Sequence, residues 1–376
     1  MQASQLEKII TLFKQTGFKS TKILVSVIFA MMVIGNISLY QLALHLNGHG
    51  TKHDSKERAI RRLLDCPICC KLYANLIDAL LKFSNTPVEL CMDRTNWKIG
   101  KISINLLILS FNWNNIAIPV YWMFLDNKGG NSNSYDRINL INWFISQYGA
   151  INVLNLYADR EFPSAEFLKY MLNNNVNFVF RIKDNILVGD SVKNHYTQKT
   201  LRKLFKDLAN GNYKSEPKIR KLIDNRLFIS AKRNIKGELI VLVSNKFHSD
   251  PFTLYSHRWN IEVMFNKFKT SGFNMENTHI TNDKRIITLF AVISLAYVYS
   301  CYIGNLRNQI QPIKQKLINN TAVKSVSIFR YGLDLIKHII VVSAFNGIKL
   351  FKELINVFSG KPIKSSSSLY NLMLNF

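Results

Sequence analysis

Between residues 87 and 183 the chain alternates strand-like and helix-like segments, and this alternation restricts the fold more than any other feature of the sequence. In chain order, the segments are strands at 88–93, 102–111 and 116–125, a helix at about 136–148, a strand at 153–158, a helix at about 164–174 and a strand at 177–182. Three strands followed by helix, strand, helix and strand predict an α/β fold, in which helices cover the faces of a mixed sheet.

Acidic residues close two of the predicted strands. Asp93 ends the apolar run that begins at Val88, and Asp159 follows the run that begins at Val153. Ligand sites in sheets of this kind gather at the carboxyl ends of the strands. We therefore expect these two carboxylates to lie close together at one edge of the sheet.

A third acid, Glu262, stands in a helix-like stretch that also contains Tyr255, Arg258 and Lys269. At about 100° per residue, these four side chains fall within one arc of about 60° on a helix. The adjoining arc is apolar and consists of Leu254, Ile261, Phe265 and Phe268. The pattern predicts one helix, half-buried at the rim of a site, that presents an acid framed by Tyr, Arg and Lys. A solvated charged face is the alternative.

The segment from 184 to 249 interrupts the alternation. Basic, polar sequence leads into two strand-like runs, Leu227–Lys232 and Glu238–Val243, with Asn234 and Gly237 flanking the turn between them. This pattern predicts a β-hairpin. We interpret the segment as a β-rich insertion between the second acid and the third.

The chain is strongly basic, with 49 Lys and Arg residues against 24 Asp and Glu residues and a net charge of +25. Such a surplus favours a polyanionic partner, which is DNA, RNA or an anionic membrane. Nucleic acid fits best because the charge is spread along the whole chain; a generally basic protein without such a partner is the alternative. Acids at strand ends in so basic a protein are best explained if they hold divalent metal ions against nucleic-acid phosphate. Carboxylates suit Mg²⁺, and Mn²⁺ fits as well.

The N-terminal part of the chain is predicted to be helical. A basic helix from about Lys52 to Leu64 carries Arg58, Arg61 and Arg62, whose spacing suits contacts with a DNA backbone. Ser55 is a candidate cap for the start of this helix. A solvated helix face is the alternative interpretation of the three arginines.

Two apolar runs, Ile23–Leu46 and Ile286–Ile303, approach the length of a membrane span. Both contain polar residues and equally suit helices buried in a large core. Acids at strand ends and an all-round basic surface do not follow from a membrane protein, so we expect no membrane association. The five cysteines form no recognisable pattern and no secretory signal is apparent, which predicts a reduced, cytoplasmic protein.

Taken together, the acid-bearing motifs resemble those of DDE transposases of bacterial insertion sequences, in the large family-four group marked by a Tyr-(2)-Arg-(3)-Glu-(6)-Lys signature. Tyr255, Arg258, Glu262 and Lys269 match that signature in full. Residues 93–97 (Asp-Arg-Thr-Asn-Trp) match the first-acid motif, and residues 158–162 (Ala-Asp-Arg-Glu-Phe) match the second. The resemblance spans about residues 50 to 345, and a β-rich insertion before the glutamate suits the family.

The resemblance implies an RNase H-like catalytic core and cut-and-paste movement of an element with terminal inverted repeats. On this basis Asp93, Asp159 and Glu262 are the expected catalytic residues and the ligands of two Mg²⁺ ions, for DNA strand cleavage and strand transfer. The resemblance also implies that Tyr255, Arg258 and Lys269 contact DNA phosphates. Further candidate DNA contacts are Arg94, Trp97, Arg160 and Trp259, with burial in the core as the alternative for the two tryptophans.

The predicted organisation is a helical DNA-binding region at 1–86, an RNase H-like catalytic domain at 87–310 with the insertion at about 184–249, and a helical region at 311–376 that is a candidate for oligomerisation. Within the last region we expect helices at Val323–Ile339 and Gly347–Phe358. The expected partners are double-stranded DNA, as transposon ends and as target, and a second copy of the chain in a homodimer on DNA. The expected location is the bacterial cytoplasm, at the nucleoid when DNA is bound.

Two other functions stay open for the same fold. A metal-dependent nuclease would cut DNA without joining it, and a decayed element would bind DNA without cutting. The complete Tyr-Arg-Glu-Lys signature favours the transposase over the nuclease. The presence of all three acids argues against decay.

Overall fold

The computed structural model describes residues 21–46, 52–66, 68, 70–99, 102–125, 130–192, 195–318, 321–346, 349–358 and 361–376. The chain divides into two compact units. The sheet unit consists of Phe83–Trp97 and Ser103–Phe265, and the helical unit consists of Met1–Lys82, Lys98–Ile102 and Asn266–Phe376. Residues 1–20 of the predicted N-terminal region lie outside the described residues.

The sheet unit is built on one mixed sheet, in which ten strands are described. The strands are β1 Val88–Ile99, β2 Ile102–Trp113, β3 Ile116–Phe124, β4 Val153–Ala158, β5 Phe178–Ile182, β6 Leu187–Val192, β7 His195–Thr200, β8 Tyr213–Leu222, β9 Asn225–Arg233 and β10 Leu239–Ser244. Their order across the sheet is β3-β2-β1-β4-β5-β10-β9-β8-β6-β7. Four earlier helices of the chain belong to the helical unit, and the helices of the sheet unit are α5 Ser134–Tyr148, α6 Ala165–Asn173, α7 Leu201–Leu204, α8 Pro251–Ser256 and most of α9 Trp259–Lys269. The predicted α/β class, a mixed sheet flanked by helices, is confirmed.

The centre of the sheet is parallel. Strand β1 runs parallel to β4, in a register that ends with Met92 opposite Ala158, and β4 runs parallel to β5. Two helices make the crossovers that parallel strands require. Helix α5 begins with a capping box, in which the Asn133 side chain accepts from the Asp136 main-chain N–H and the Asp136 carboxylate accepts from that of Asn133. Residue pairing in this centre therefore sets where Asp93 and Asp159 lie.

Strand β1 is longer than predicted. It continues to Ile99, so Asp93 lies in the middle of the strand and not at its end. Beyond Asp93, buried Thr95 and Trp97 alternate with exposed Asn96 and Lys98, which is the period of a strand with one covered face. The extension was not predicted because most of its residues are polar. The prediction still holds for Asp159, which follows directly on β4.

The β-rich segment extends the sheet instead of forming a separate layer. Strand β10 pairs antiparallel with β5, from Val241 opposite Ile182 to Ser244 opposite Val179. The predicted hairpin is confirmed as β9 and β10, and Gly237 occupies the left-handed region at φ +84° in its turn. The pairing of β10 with β5 therefore connects the insertion to the strand that lies beside β4.

In the helical unit, the described residues form the remaining helices and one short hairpin. The helices are α1 Thr21–Ile34, α2 Leu39–Leu44, α3 His53–Leu64, α4 Cys70–Leu81, the end of α9, α10 Asp283–Ile310, α11 Ile328–Asn346, α12 Lys349–Phe358 and α13 Ser368–Asn375. The hairpin, β11 Gln315–Ile318 with β12 Thr321–Lys324, was not predicted, and the helix expected from 323 begins only at Ile328. Ser55 lies inside α3, whose cap position is Lys52, so the predicted Ser55 cap is wrong.

The first apolar run is divided into two helices at Gly35, which has φ +67°, a conformation that side chains other than glycine adopt at a cost. The second run lies in α10. Among the described residues this is the one helix long and apolar enough to cross a membrane by length and composition, and 89% of its most apolar window is buried inside the protein. A buried core helix passes the same test, so the finding is weak support for a membrane span.

Helices α10 and α11 approach each other closely at two glycines. A Cβ atom on Gly304 would collide with the main-chain oxygen of Ile328, and one on Gly332 with that of Ser300. Only glycine permits backbones to come this near.

The division into two units follows compactness alone, so the predicted domain boundaries at 86, 310 and 184–249 stay predictions.

Candidate active site

Asp93 and Asp159 are carried on the paired centre of the sheet. Because Met92 stands opposite Ala158 in the parallel register of β1 and β4, the next residues along the two strands are Asp93 and Asp159. The Asp93 side chain is 15% exposed and its Oδ1 accepts from the main-chain N–H of Arg94 at 2.8 Å. The Asp159 side chain is 31% exposed. The predicted proximity of the two acids thus follows from strand pairing.

Arg258 and Tyr255 connect the three acids. The Nη1 of Arg258 donates to Asp93 Oδ2 at 3.3 Å, and its Nη2 donates to the Glu262 carboxylate. The Tyr255 hydroxyl donates to Asp159 Oδ1 at 3.3 Å. The Arg258 guanidinium lies 5.7 Å from the centre of the Tyr255 ring. The segment from 255 to 262 therefore links both strand acids to the third one.

The helix predicted over this segment is interrupted. Helix α8 ends at Ser256 and α9 begins at Trp259, with His257 and Arg258 in a turn between them. The main-chain oxygen of His257 accepts from Asn112 Nδ2 at 3.5 Å and from Cys91 Sγ at 3.7 Å. The same oxygen accepts from the main-chain N–H of Asn260 at 3.2 Å, so the turn keeps a local bond of the 3₁₀ type beside its contacts with β1 and β2. The apolar stripe was predicted correctly at Ile261, Phe265 and Phe268, all of which are buried.

The electrostatics of the site centre on Asp93. Burial raises the pKa of Asp93 to about 7, against the opposing effect of the Arg258 charge. The carboxylates of Glu262 and Glu161 raise it further. Burial lowers the pKa of Arg258, but Tyr255, Asp93 and Glu262 outweigh that effect and keep it above its usual value. Asp93 is thus a carboxyl group whose charged form depends on a neighbouring cation.

The chemistry of the three acids fits a divalent cation, but the described residues show no group of three His, Cys, Asp or Glu side chains arranged to hold one. One guanidinium, that of Arg258, stands between Asp93 and Glu262 instead. All three groups are carboxylates, which are the ligands that Mg²⁺ and Mn²⁺ take in proteins. The raised pKa of Asp93 agrees with a carboxylate that favours a positive neighbour. The residue types therefore fit the predicted ions, while Asp93 and Glu262 are paired with Arg258.

A second ion pair joins the segments that follow the two strand acids. Arg94 donates through Nε and Nη2 to the two carboxylate oxygens of Glu161, at 3.1 and 3.3 Å. Its Nη1 also donates to Asn96 and Asn105. Such a bidentate pair fixes orientation as well as charge. Glu161 is thus held by Arg94, and the DNA contact predicted for Arg94 would require this pair to open.

A polar network around Glu89 was not predicted from the sequence. Glu89 on β1 accepts from the Tyr157 hydroxyl at 2.8 Å and from Asn112 Nδ2 at 3.3 Å. Its Oε2 also lies 2.8 Å from His257 Nδ1. Because His257 precedes Arg258, the network anchors the turn that carries the Arg258 guanidinium. The signal available in the sequence was an acid four residues before Asp93, on the same face of a strand.

We expect Glu89→Gln to destabilise the protein and to loosen the turn that carries Arg258. A glutamine amide has one acceptor oxygen, so one of the donors that face Glu89 loses its partner. Leaving such a partly buried donor unpaired costs about 1–3 kcal/mol. Urea unfolding would measure this loss of stability.

The matched control is Glu166→Gln, which changes an exposed acid near the start of α6. Exposed substitutions of this kind usually change stability by less than about 0.5 kcal/mol. Equal unfolding midpoints for Glu89→Gln and Glu166→Gln would rule out an anchoring role for Glu89.

The other predicted DNA contacts divide by exposure. Trp97 is fully buried, so the prediction that it stacks on a DNA base is wrong, because its ring packs inside the protein. Trp259 is 59% exposed and Arg160 is exposed, so the ring of Trp259 and the charge of Arg160 are both accessible to a ligand. Lys269 is half-buried at the end of α9, where burial lowers its pKa. Whether these residues contact DNA stays a prediction.

The three arginines of α3 lie in the helical unit. Arg58, Arg61 and Arg62 are exposed, while Ile60, Leu63 and Leu64 are buried on the opposite side of the helix. Arg61 forms an exposed ion pair with Glu57 at 3.5 Å. The amphipathic helix was thus correctly predicted, and its role in DNA binding stays a prediction.

Comparison with known proteins gives one family match. No curated protein sequence matches the chain. Among solved structures, a cryo-EM structure of the piggyBac transposase synaptic complex with hairpin DNA is similar at 11% sequence identity and a TM-score of 0.44, over 98% of this chain and 85% of that chain. Residues 125–299, which include Asp159 and Glu262 but not Asp93, match the family described as the transposase DDE domain.

Proposed function

We propose that the protein is a DNA transposase of an insertion sequence. It binds the terminal inverted repeats of its element and catalyses metal-dependent strand cleavage and strand transfer in cut-and-paste transposition. The observation that carries this proposal is the joining of Asp93, Asp159 and Glu262 through Arg258 and Tyr255. The match of residues 125–299 to the transposase DDE domain supports it independently.

The fold agrees with an RNase H-like core. Strands β3, β2, β1, β4 and β5 lie side by side in that order, and the parallel strands among them are connected through helices. Asp93 stands on β1, and Asp159 directly follows β4, the parallel strand beside it. The β-rich insertion enters the chain before Glu262, as the resemblance requires.

Asp93, Asp159 and Glu262 would hold the divalent ions, Mg²⁺ or Mn²⁺. When bound, such ions activate the attacking oxygen and stabilise the leaving oxygen of a phosphodiester displacement. The protein's own part is to hold and orient the DNA. Arg258, released from the acids, offers a fork that matches phosphate geometry, and Lys269 offers a point charge. Tyr255 offers a hydroxyl donor, since its pKa lies above the usual value because of burial.

Regions outside the acid cluster complete the proposal. The N-terminal region at 1–86 binds DNA, with Arg58, Arg61 and Arg62 on backbone phosphates. Arg94, Arg160 and Trp259 are additional candidate contacts near the acids, and the region at 311–376 is a candidate for oligomerisation. Two transposon ends require two copies of the chain, so we propose a homodimer on DNA in the bacterial cytoplasm.

The deciding experiment is a cleavage and strand-transfer assay. It would use purified protein, Mg²⁺ and DNA that carries the sequence flanking the gene. We expect cleavage followed by joining, and we expect both to stop when a chelator removes the metal and to return when Mg²⁺ or Mn²⁺ is added back. A parallel reaction with Ca²⁺ separates binding from cutting.

Each other outcome points to a different function. Cutting without joining would identify a nuclease on the same fold. Binding without cutting, with every divalent metal tested, would identify a decayed element. Activity that persists in excess chelator would contradict the role proposed for the three acids.

A further inference from the structure

A basic cavity of about 520 Å³ opens in the sheet unit beside the second acid. Its walls come from the ends of β4 and β5, from α7 and from the β9–β10 hairpin. Arg181, which lines it, has its Nη1 3.9 Å from Asp159 Oδ1. Because β4 and β5 are parallel, this position is the carboxyl edge of the sheet, where ligand sites gather in such folds. The volume is that of ordinary ligand pockets.

The lining of the cavity is charged and mostly positive. Its cationic residues are Arg160, Arg181, Lys183, Arg202 and Arg233, and its acidic residues are Asp184 and Glu238. Arg202 forms a bidentate pair with Asp184 at 2.8 and 3.1 Å. Arg181 pairs with Glu238 at 2.8 Å. These pairs account for both acids, so the remaining cations leave the cavity with a positive surplus.

Arg233 supplies part of this surplus from a fixed position. Its three nitrogens donate to the main-chain oxygens of Leu208, Gly237 and Phe205 at 2.8, 3.0 and 3.1 Å. Carbonyl oxygens carry no net charge, so these bonds orient the guanidinium without neutralising it. A guanidinium has five N–H donors, which leaves two for a ligand. Such a pre-oriented cation loses little entropy when it binds an anion.

Lys183 and Arg160 supply the rest of the positive charge in the cavity. Both are exposed at the cavity, and Arg160 follows directly on Asp159. A lysine adds a mobile point charge beside the planar forks of the arginines. Together these groups suit the tetrahedral, multiply accepting oxygens of a phosphate.

We propose that this cavity is an anion subsite that receives a phosphodiester group of DNA next to the strand being cut. The inference rests on the proposed function, which supplies DNA as the substrate, and it assigns a second place on the protein where that DNA is held. The phosphate belongs either to the transposon end or to the target DNA, since both present the same chemistry. The subsite would hold the DNA that flanks the cut beside Asp159.

The test is the salt dependence of DNA binding by the full chain. Fluorescence anisotropy would give the affinity for labelled end DNA and for unrelated target DNA over a series of salt concentrations, in Ca²⁺. Lys183→Gln removes one phosphate partner, so the slope of log affinity against log salt should decrease by about 1. Affinity near 0.1 M salt should fall roughly 5- to 10-fold. Asn185→Asp, which adds a negative charge to the lining, should weaken binding as well.

The control is Lys169→Gln, which removes the same charge from an exposed position on α6 in the same unit. It should leave the slope unchanged. An effect of Lys183→Gln on end DNA only, or on target DNA only, supports the subsite and assigns the phosphate to that source. Slopes for Lys183→Gln that equal those of Lys169→Gln on both DNAs would overturn the inference.

The same measurements separate this inference from the proposed function. If the wild type binds with a Lys183-dependent slope but never cuts, the subsite stands and the transposase assignment fails. If the wild type cuts and joins but Lys183→Gln keeps the wild-type slope, the subsite alone fails. If the wild type does not bind DNA, both are overturned.

Discussion

Replacing Glu262 with Gln should abolish DNA cleavage while leaving DNA binding largely intact. The substitution keeps the shape of the side chain and removes its charge, and the same reasoning applies to Asp93→Asn and Asp159→Asn. A carboxylate that holds a catalytic metal ion contributes several kcal/mol to the transition state, so the rate should fall by roughly a thousandfold or more. Because the three acids act as one unit, a double variant should be little slower than a single one.

Single-turnover cleavage and equilibrium binding, measured on the same preparations, separate the two effects. Glu166→Gln is the control, since it neutralises an exposed acid in the same unit. Retained binding with lost cleavage identifies the acids as catalytic. If all three variants lose end binding together with their melting transition, the acids are structural and the catalytic assignment is wrong.

Arg258→Ala should cost stability as well as DNA binding. The Arg258 side chain is 11% exposed and contacts both Asp93 and Glu262, so its removal leaves a buried carboxylate without its cation. Breaking a buried pair on one side costs about 3–5 kcal/mol. Two features reduce this value here. Glu262 is 34% exposed and is screened by water, and Asp93 can take up a proton near neutral pH. We therefore expect a loss of about 2–3 kcal/mol.

The pH dependence of this loss identifies its cause. Burial raises the pKa of Asp93 to about 7 in the folded protein, and removal of the Arg258 charge would raise it further. The folded state then binds a proton that the unfolded state releases, so stability increases as pH falls from above 7 towards the unfolded pKa. The penalty of Arg258→Ala should thus be largest in alkaline buffer and decrease in mild acid.

Chemical denaturation at several pH values would measure this, with Arg226→Ala as the control at an exposed position on β9. Arg258→Lys should recover part of the stability through its charge, but less DNA binding, because a lysine lacks the planar fork. The double variant Arg258→Ala with Asp93→Asn should lose less stability than Arg258→Ala alone, since no buried charge remains. An Arg258→Ala protein as stable as the wild type at all pH values would show that the ion pairs add nothing to the fold.

Local patterns were sufficient for the elements whose residues interact mainly with their neighbours in sequence. Strand β4 at 153–158 and helices α5 and α6 were predicted within two residues, because alternation, helical periodicity and caps operate over a few positions. The β9–β10 hairpin was found for the same reason, from two strand-like runs around a turn. The motifs around the three acids were found in the same way, because each is a short run of specific residue types.

Contacts between distant residues explain the elements that were predicted wrongly. Helix α8 ends before Arg258, and in the turn that follows it the His257 carbonyl meets Asn112, which is 145 residues away. Trp97 is buried because β1 continues past Asp93, although its neighbours in sequence are polar. No local period contains this information, since it depends on which strand lies beside which.

The sequence by itself determined the α/β class and the order of the elements between residues 87 and 183, and it singled out the three acids with their Tyr, Arg and Lys companions. Only the tertiary structure decided which groups those acids contact, namely the guanidinium of Arg258 and the hydroxyl of Tyr255, and how the Glu89 network anchors the turn that carries Arg258. It also revealed the basic cavity beside Asp159, whose lining comes from residues between 160 and 239. The physical reason is that residue type and spacing specify local backbone geometry, whereas burial and charge pairing depend on the packing of segments far apart in the chain.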